Sequence, residues 1–110
     1  MNREKAIQLI TYEAFNKNGV VELLASAHPP DIERFGLIGD AIEFLSNTIT
    51  TPQIDRTLCG ALLRIITESS LAFSRWDEEM MDNNYYLTTE WEVIYQKAHE
   101  FITPDIPFDT

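Results

Sequence analysis

The chain has few cysteines, few glycines and no long apolar run, and each shortage excludes something. One cysteine among 110 residues cannot form a disulfide within the chain, and its use fits a reducing compartment. The four glycines and five prolines punctuate segments and form no low-complexity stretch. No apolar run approaches the roughly 18 residues that would span a membrane. The first residues also lack the apolar core of a signal peptide, so we expect a cytoplasmic protein.

Positive charge is the other shortage. Eight Lys and Arg face 18 Asp and Glu, which gives a net charge of −10. Residues 77–110 hold nine of the acids and one base, Lys97. Such a field repels phosphate backbones and anionic lipid surfaces, so we expect neither nucleic acid nor membrane as a partner. It attracts cationic proteins and speeds their encounter.

Apolar residues recur at intervals of three and four along most of the chain, as in helices with one buried face. The strongest stripe, in the predicted fourth helix, is Leu58, Leu62, Ile65, Ser69, Ala72 and Trp76. No alternating strand pattern competes with it. We therefore predict an all-α fold, a compact single-domain bundle of about five helices over residues 1–103, with an extended C-terminal tail over 104–110.

Capping and turn-forming residues predict where these helices begin and end. The predicted boundaries are a stop at Asn18-Gly19, a second helix through Ala27, a stop at His28-Pro29-Pro30, a start at Thr51-Pro52, a fourth helix to about residue 78 or 80, a break at Asp82-Asn83-Asn84, and a capping box from Thr89 to Glu92. Asn18 and Gly19 both tolerate the left-handed conformation. Gly36 and Gly39, inside the third helix, predict close approach by another helix.

The sequence offers little for catalysis or metal binding. Cys59 lies within the fourth helix, where a small buried hydrophobe is the expected role. No nucleophile elbow, glycine-rich phosphate loop, EF-hand loop or paired Glu-x-x-His motif is found. We predict a protein that is not an enzyme, with no cofactor and no metal. An enzyme or metal protein using Glu68, His99 and nearby acids stays open as an alternative.

The stretch from 75 to 92, RWDEEMMDNNYYLTTEWE, combines six acids with large apolar residues. Trp76 and Trp91 fit core stripes, and the acids after Trp76 would sit unfavourably at a helix C-terminus. Adjacent Tyr85 and Tyr86 cannot both face a core, and tyrosine is typical of interaction hot spots. The predicted partner-binding residues are Asp77, Glu78, Glu79, Met81, Asp82, Tyr85, Tyr86 and Glu90.

A paired tyrosine beside acids in a small acidic helical protein resembles the helical colicin-nuclease immunity family and, more loosely, immunity proteins of contact-dependent inhibition systems. In the former family an acidic helix and a tyrosine pair bind a basic nuclease toxin and block its access to substrate. The resemblance covers residues 77–92 and implies that Tyr85 and Tyr86 are anchors. It assigns the acidic contacts to Asp77, Glu78, Glu79 and Asp82. Leu87 follows the pair here, where the family has proline.

We therefore expect a non-catalytic inhibitor that binds a basic protein, with an immunity protein for a nuclease-type bacterial toxin as the leading interpretation. A phage-type nucleic-acid mimic that blocks a host nuclease or CRISPR complex is the first alternative. A helical adaptor or structural subunit is the second. The sequence does not indicate an oligomeric state.

Overall fold

The apolar stripes form helices whose buried faces meet in one core. The computed structural model describes residues 1–48 and 55–102, and within these ranges it contains no strand. The all-α prediction is confirmed. The helices of the described residues are α1 (Arg3–Phe15), α2 (Val20–Ala25), α3 (Ile32–Thr48), α4 (Arg56–Arg75), α5 (Glu78–Asn83) and α6 (Tyr85–Ile102). The predicted start at Thr51-Pro52 and the tail over 104–110 lie outside the described residues.

Helix α1 contacts both α3 and α4. The short α2 lies against α4, and α6 packs mainly on α3 and to a smaller extent on α4. The predicted stripe of α4 is the buried one, from Leu58 through Ala72. Trp76, at its end, is half-buried and packs against the core. Helix α6 is thus attached to the bundle through α3 and α4.

The fourth helix ends earlier than predicted, because Trp76 turns the chain. Its backbone is extended, and its indole Nε1 donates a hydrogen bond to the Leu24 carbonyl at 3.0 Å. Its ring also meets Phe73 edge-on, with the centroids 5.0 Å apart. Asp77 then accepts a hydrogen bond from the Met80 amide at 2.8 Å and caps a new helix. The prediction of one helix to residue 78 or 80 is wrong.

The last helix begins at Tyr85, one turn before the predicted capping box. Leu87 is fully buried and belongs to the same stripe as Ile94 and Ala98, so burial extends the helix upstream. Thr89 is therefore an interior residue of α6 and not its cap. The break predicted at Asp82-Asn83-Asn84 falls at Asn84 alone, since Asp82 and Asn83 belong to the last turn of α5.

The turn between α1 and α2 needs Gly19 for space and not for a left-handed backbone. Its φ is −73°, and a Cβ there would lie 2.5 Å from the Glu13 carbonyl oxygen. The left-handed residue is Ala27 (φ 57°), so the prediction of a second helix through Ala27 is also wrong.

The two glycines of α3 differ in their surroundings. Gly39 is approached by the Lys97 side chain of α6, whose Nζ would be 3.6 Å from an added Cβ. Gly36 has nothing within 4 Å of that position, so close approach is wrong for Gly36.

Charged side chains tie α1, α2, α3 and α4 together. Glu13 is almost fully buried and accepts from Arg34 at both carboxylate oxygens and from the Val20 amide at 3.3 Å. Arg64 donates to the Ala14 carbonyl at 2.6 Å and to Glu22 at 2.8 Å. We call these four side chains, Glu13, Glu22, Arg34 and Arg64, the charged junction. Arg64 is half-buried in this junction.

The hydrogen bond from Arg34 to Glu13 is the main reason that the pKa of Arg34 is raised above its ordinary value, against the effect of partial burial. A raised pKa in the folded state means that the stabilisation contributed by protonation of Arg34 is complete below the ordinary value. That stabilisation is lost only as the pH rises through the raised value. The Arg34–Glu13 pair therefore keeps its charged arginine throughout the neutral and moderately alkaline range.

Candidate partner-binding surface

Helix α5 and the start of α6 bring most of the predicted binding residues together. The carboxylates of α5 and its cap are all exposed, and with Asn83 they line an open depression of about 480 Å³. Tyr85 and Tyr86 follow directly as the first residues of α6. We call this set, Asp77, Glu78, Glu79, Asp82, Tyr85 and Tyr86, the acidic tyrosine surface.

Both tyrosine rings are largely in solvent, because the residue after them points inward. Tyr85 is 69% exposed and Tyr86 is 49% exposed, whereas Leu87 is 0% exposed. The Tyr85 carbonyl accepts from the Thr88 hydroxyl at 2.6 Å, so the backbone of this turn is tied locally. The rings extend from the first turn of an 18-residue helix that packs on α3.

Helix α5 is attached to the bundle by its two methionines and by hydrogen bonds at its ends. None of its residues is buried, but Met80 and Met81 are half-buried, and Met81 packs against the core. The buried Asn84 donates its side-chain amide to the Met80 carbonyl at 2.9 Å, which fixes the exit from the helix. The methionines therefore attach α5 to the bundle while its polar face stays in solvent.

Asp77, Glu78 and Glu79 occupy a favourable end of a helix, contrary to the sequence interpretation. Asp77 caps α5, and Glu78 and Glu79 lie in its first turn, near the positive end of the helix dipole. The expected conflict with a helix C-terminus is wrong, because α4 ends before these residues. These three acids thus stabilise the start of α5. Their place in the helix does not by itself indicate a role in binding.

The carboxylates of the acidic tyrosine surface lack ion-pair partners within the described residues. The ion pairs within the described residues are Arg34–Glu13, Arg64–Glu22 and Lys97–Glu43. No carboxylate of the acidic tyrosine surface takes part in one of them. Lys97, the base of the last third, lies 3.1 Å from Glu43 on α3. The four carboxylates therefore have no ion-pair partner among the described residues.

Two predicted residues are placed less favourably for contact. Met81 is half-buried against the core, and Glu90 is half-buried one turn beyond Tyr86. Each exposes part of its side chain at the edge of the surface. Trp91, the next residue, packs edge-on against Phe73, with the centroids 5.8 Å apart, as its core stripe predicted.

The residues of the enzyme alternative are placed on helix surfaces. Glu68 is exposed on α4, and the exposed His99 of α6 stacks on Tyr95, with the ring centroids 6.1 Å apart. Cys59 is half-buried, more exposed than the sequence predicted. Across residues 1–48 and 55–102, no group of three or more His, Cys, Asp or Glu side chains is arranged to hold a metal ion.

Comparisons of the chain with known proteins found no relative. No protein-family model, curated protein or solved structure matched the chain. In the part of the chain that the structure describes, every helix is too short or too polar to cross a membrane. The case for function therefore depends on the geometry and charge of the acidic tyrosine surface.

Proposed function

We propose that the protein is a non-catalytic inhibitor that binds a basic protein through the acidic tyrosine surface. The observation that carries the proposal is the placement of four exposed carboxylates, with no ion-pair partner within the described residues, beside two exposed tyrosines on consecutive helices. Carboxylates without local partners are free to pair with lysine and arginine. Tyrosine rings supply rigid contact area and a hydroxyl for a hydrogen bond.

The two kinds of residue act at different stages of binding. The field of Asp77, Glu78, Glu79 and Asp82 steers a cationic partner, which raises the association rate most strongly at low salt. Tyr85 and Tyr86 then lose water against the partner and slow dissociation. Desolvation at the rings and charge pairing around them favour a defined complex over loose attraction.

The partner that fits best is a nuclease-type bacterial toxin, and the function is that of its immunity protein. A nuclease needs a basic groove to hold a phosphate backbone. An acidic protein seated on or beside that groove excludes the substrate by charge and by bulk. Inhibition of this kind needs no catalytic residue in the inhibitor.

The test is binding to the product of the neighbouring open reading frame, measured by surface plasmon resonance at two salt concentrations. We expect saturable binding whose association rate falls with salt. Reversing both charges in Glu78→Lys/Glu79→Lys should slow association by roughly tenfold. Tyr86→Ala should speed dissociation by roughly thirtyfold, the size of a hot-spot loss.

Matched controls lie on other helices. Glu33→Lys/Asp40→Lys changes the net charge equally on α3, and Tyr12→Ala removes a ring that is 46% exposed on α1. Both controls should keep nearly the wild-type rates. If the α5 variants and the α3 variants slow association equally, the net charge matters and the acidic tyrosine surface does not.

Competition with DNA separates this function from nucleic-acid mimicry. An immunity protein binds its cognate toxin and leaves unrelated nucleases active. A mimic competes with duplex DNA for a host nuclease or a CRISPR complex, and Tyr86→Ala would matter little to it. Inhibition of several unrelated nucleases would favour the mimic.

A further inference from the structure

The turn at the end of α4 connects two regions that are distant in the sequence. Trp76 has an extended backbone, and its indole Nε1 donates a hydrogen bond to the Leu24 carbonyl near the end of α2. The next residue, Asp77, caps α5 and is the first carboxylate of the acidic tyrosine surface. The Trp76 side chain thus links the C-terminal turn of α2 to the start of the proposed binding surface.

Helix α5 depends on its attachments because it is too short to be stable alone. It has six residues, none of them buried, and it packs lightly on the other described helices. Isolated helices of fewer than about 12 residues are marginal in water. Its attachments are the half-buried methionines, the Asn84 amide at its exit and the turn at Trp76 at its start. Loss of one attachment should release α5 before the rest of the bundle.

The attachment at Trp76 has two parts. The indole packs edge-on against Phe73, with the ring centroids 5.0 Å apart, and this contact holds it to the end of α4. The hydrogen bond to Leu24, at 3.0 Å, holds it to α2. The position of the start of α5 therefore depends on where α2 ends as well as on α4.

The carbonyl that accepts from Trp76 belongs to a strained turn. Helix α2 ends with the Ala27 amide donating to the Leu24 carbonyl at 3.1 Å and the His28 amide donating to the Leu23 carbonyl at 2.8 Å, which is a Schellman motif. The left-handed position of this motif favours glycine, yet Ala27 occupies it with φ 57°. The Leu24 carbonyl thus accepts from both Ala27 and Trp76, so a change in the α2 turn moves the acceptor of Trp76.

We propose that Trp76 is a positioning residue for the acidic tyrosine surface, and that it couples the α2 turn to the attachment of α5. The inference rests on the proposed function, since it concerns the same carboxylates. With the hydrogen bond intact, the acids of α5 are held beside the tyrosines of α6. With the bond broken, α5 detaches more often. Only the attached form presents acids and tyrosines together, so the detached fraction lowers the apparent affinity for the partner.

Hydrogen–deuterium exchange of the free protein tests the attachment without a partner. Trp76→Phe keeps a ring near Phe73 but removes the donor, so it should speed exchange of the α5 amides roughly fivefold, the size of one net hydrogen bond. Trp76→Ala removes both contacts and should speed it further. Ile65→Val is the control, because it shortens a buried side chain of α4 and lowers global stability. Equal exchange of α5 in Trp76→Phe and Ile65→Val would overturn the proposal.

A double-mutant cycle tests the coupling to α2. Ala27→Val places a β-branched side chain in the left-handed conformation, which should disturb the α2 turn and speed exchange of the α5 amides. In a Trp76→Phe background the same change should have no further effect on α5, because the link is already absent. Additive effects of Ala27→Val and Trp76→Phe on α5 would show that the two residues act separately and would contradict the coupling.

Binding measurements separate this inference from the proposed function. Trp76→Ala should weaken the affinity for the neighbouring gene product roughly threefold or more, and Ile65→Val should bind as wild type does. Where circular dichroism shows Trp76→Ala to be unfolded, Trp76→Phe replaces it, with a smaller expected loss.

The outcomes have different consequences. Unchanged affinity in a folded Trp76 variant overturns the positioning role and leaves the proposed function standing. Weaker binding without faster α5 exchange would indicate that Trp76 contacts the partner directly, which also overturns the positioning role. A wild type that does not bind overturns the proposed function, while the exchange of the free protein still decides whether Trp76 holds α5.

Discussion

The charged junction and the acidic tyrosine surface use the same residue types in opposite ways. At the junction, Glu13 is buried and meets Arg34 and the Val20 amide. On α5, Glu78 and Glu79 are exposed and have no ion-pair partner within the described residues. Buried and paired charges stabilise the folded chain. Exposed charges without an ion-pair partner can still pair with groups on another protein. We therefore assign stability to the charged junction and propose binding for the acidic tyrosine surface.

Gly19→Ala should have the largest effect on stability, because the backbone of α1 leaves no room for a side chain there. The added Cβ would meet the backbone carbonyl oxygens of Tyr12 and Glu13 at 2.6 and 2.5 Å. Backbone cannot yield as a flexible side chain does, so we expect a loss of about 3 kcal/mol in the free energy of unfolding. Urea denaturation measures it. An unchanged midpoint would show that the α1–α2 turn is not tightly packed.

Arg34→Met comes next, because it leaves the buried carboxylate of Glu13 without its cation. We expect a loss of about 2 to 3 kcal/mol at neutral pH, toward the lower end because Arg34 is partly exposed. Lys97→Met is the comparison, since it breaks the more exposed pair with Glu43 and should cost less than about 1 kcal/mol. Equal losses in the free energy of unfolding, measured by urea denaturation, would show that the buried pair stabilises the fold no more than the surface pair does.

Gly36→Ala should stabilise the protein by about 1 kcal/mol, since alanine favours the helix and meets nothing there. Gly60→Ala should do the same in α4, where the added Cβ also has open space. Gly39→Ala should gain less, because the Lys97 side chain must move aside. Differential scanning calorimetry can rank the three. Equal gains at all three positions would mean that Lys97 does not restrict Gly39.

Removing charge from α5 should have the smallest effect on folding. Glu78→Gln and Glu79→Gln should each change the free energy of unfolding by about 0.5 kcal/mol or less, through weaker interaction with the helix dipole. The same pair should slow association with the cationic partner at low salt. A large loss of stability with unchanged association would show that these acids stabilise the fold, as Glu13 does, and do not bind the partner.

The sequence predicts the helices better than their ends. The buried stripe from Leu58 to Ala72 follows from spacing alone, because one face of a helix must be apolar. The end of α4 does not follow, since it depends on the hydrogen bond from Trp76 to Leu24, 52 positions away. The start of α6 depends on burial of Leu87 against other helices. Tertiary contacts of this kind leave no local signal in the sequence.

Some features of the candidate site could also be predicted from the sequence, and others could not. Helix geometry predicts that adjacent Tyr85 and Tyr86 cannot both face the core, and in the structure both are exposed. The favourable position of Glu78 and Glu79 at a helix start could not be predicted without knowing that the chain turns at Trp76. The Glu13–Arg34 pair was missed altogether, because its partners are 21 positions apart on different helices. The binding role of the exposed residues stays a prediction.

Hydrogen–deuterium exchange of the free protein and of its complex with the neighbouring gene product tests the central claim most directly. In the free protein, amides of α5 should exchange faster than those of α1 and α4, because α5 buries no residue. In the complex, protection should appear over residues 78–92, while the α1–α2 turn should not change. Protection confined to α1, α2 or α3, with α5 exchanging as before, would contradict the account.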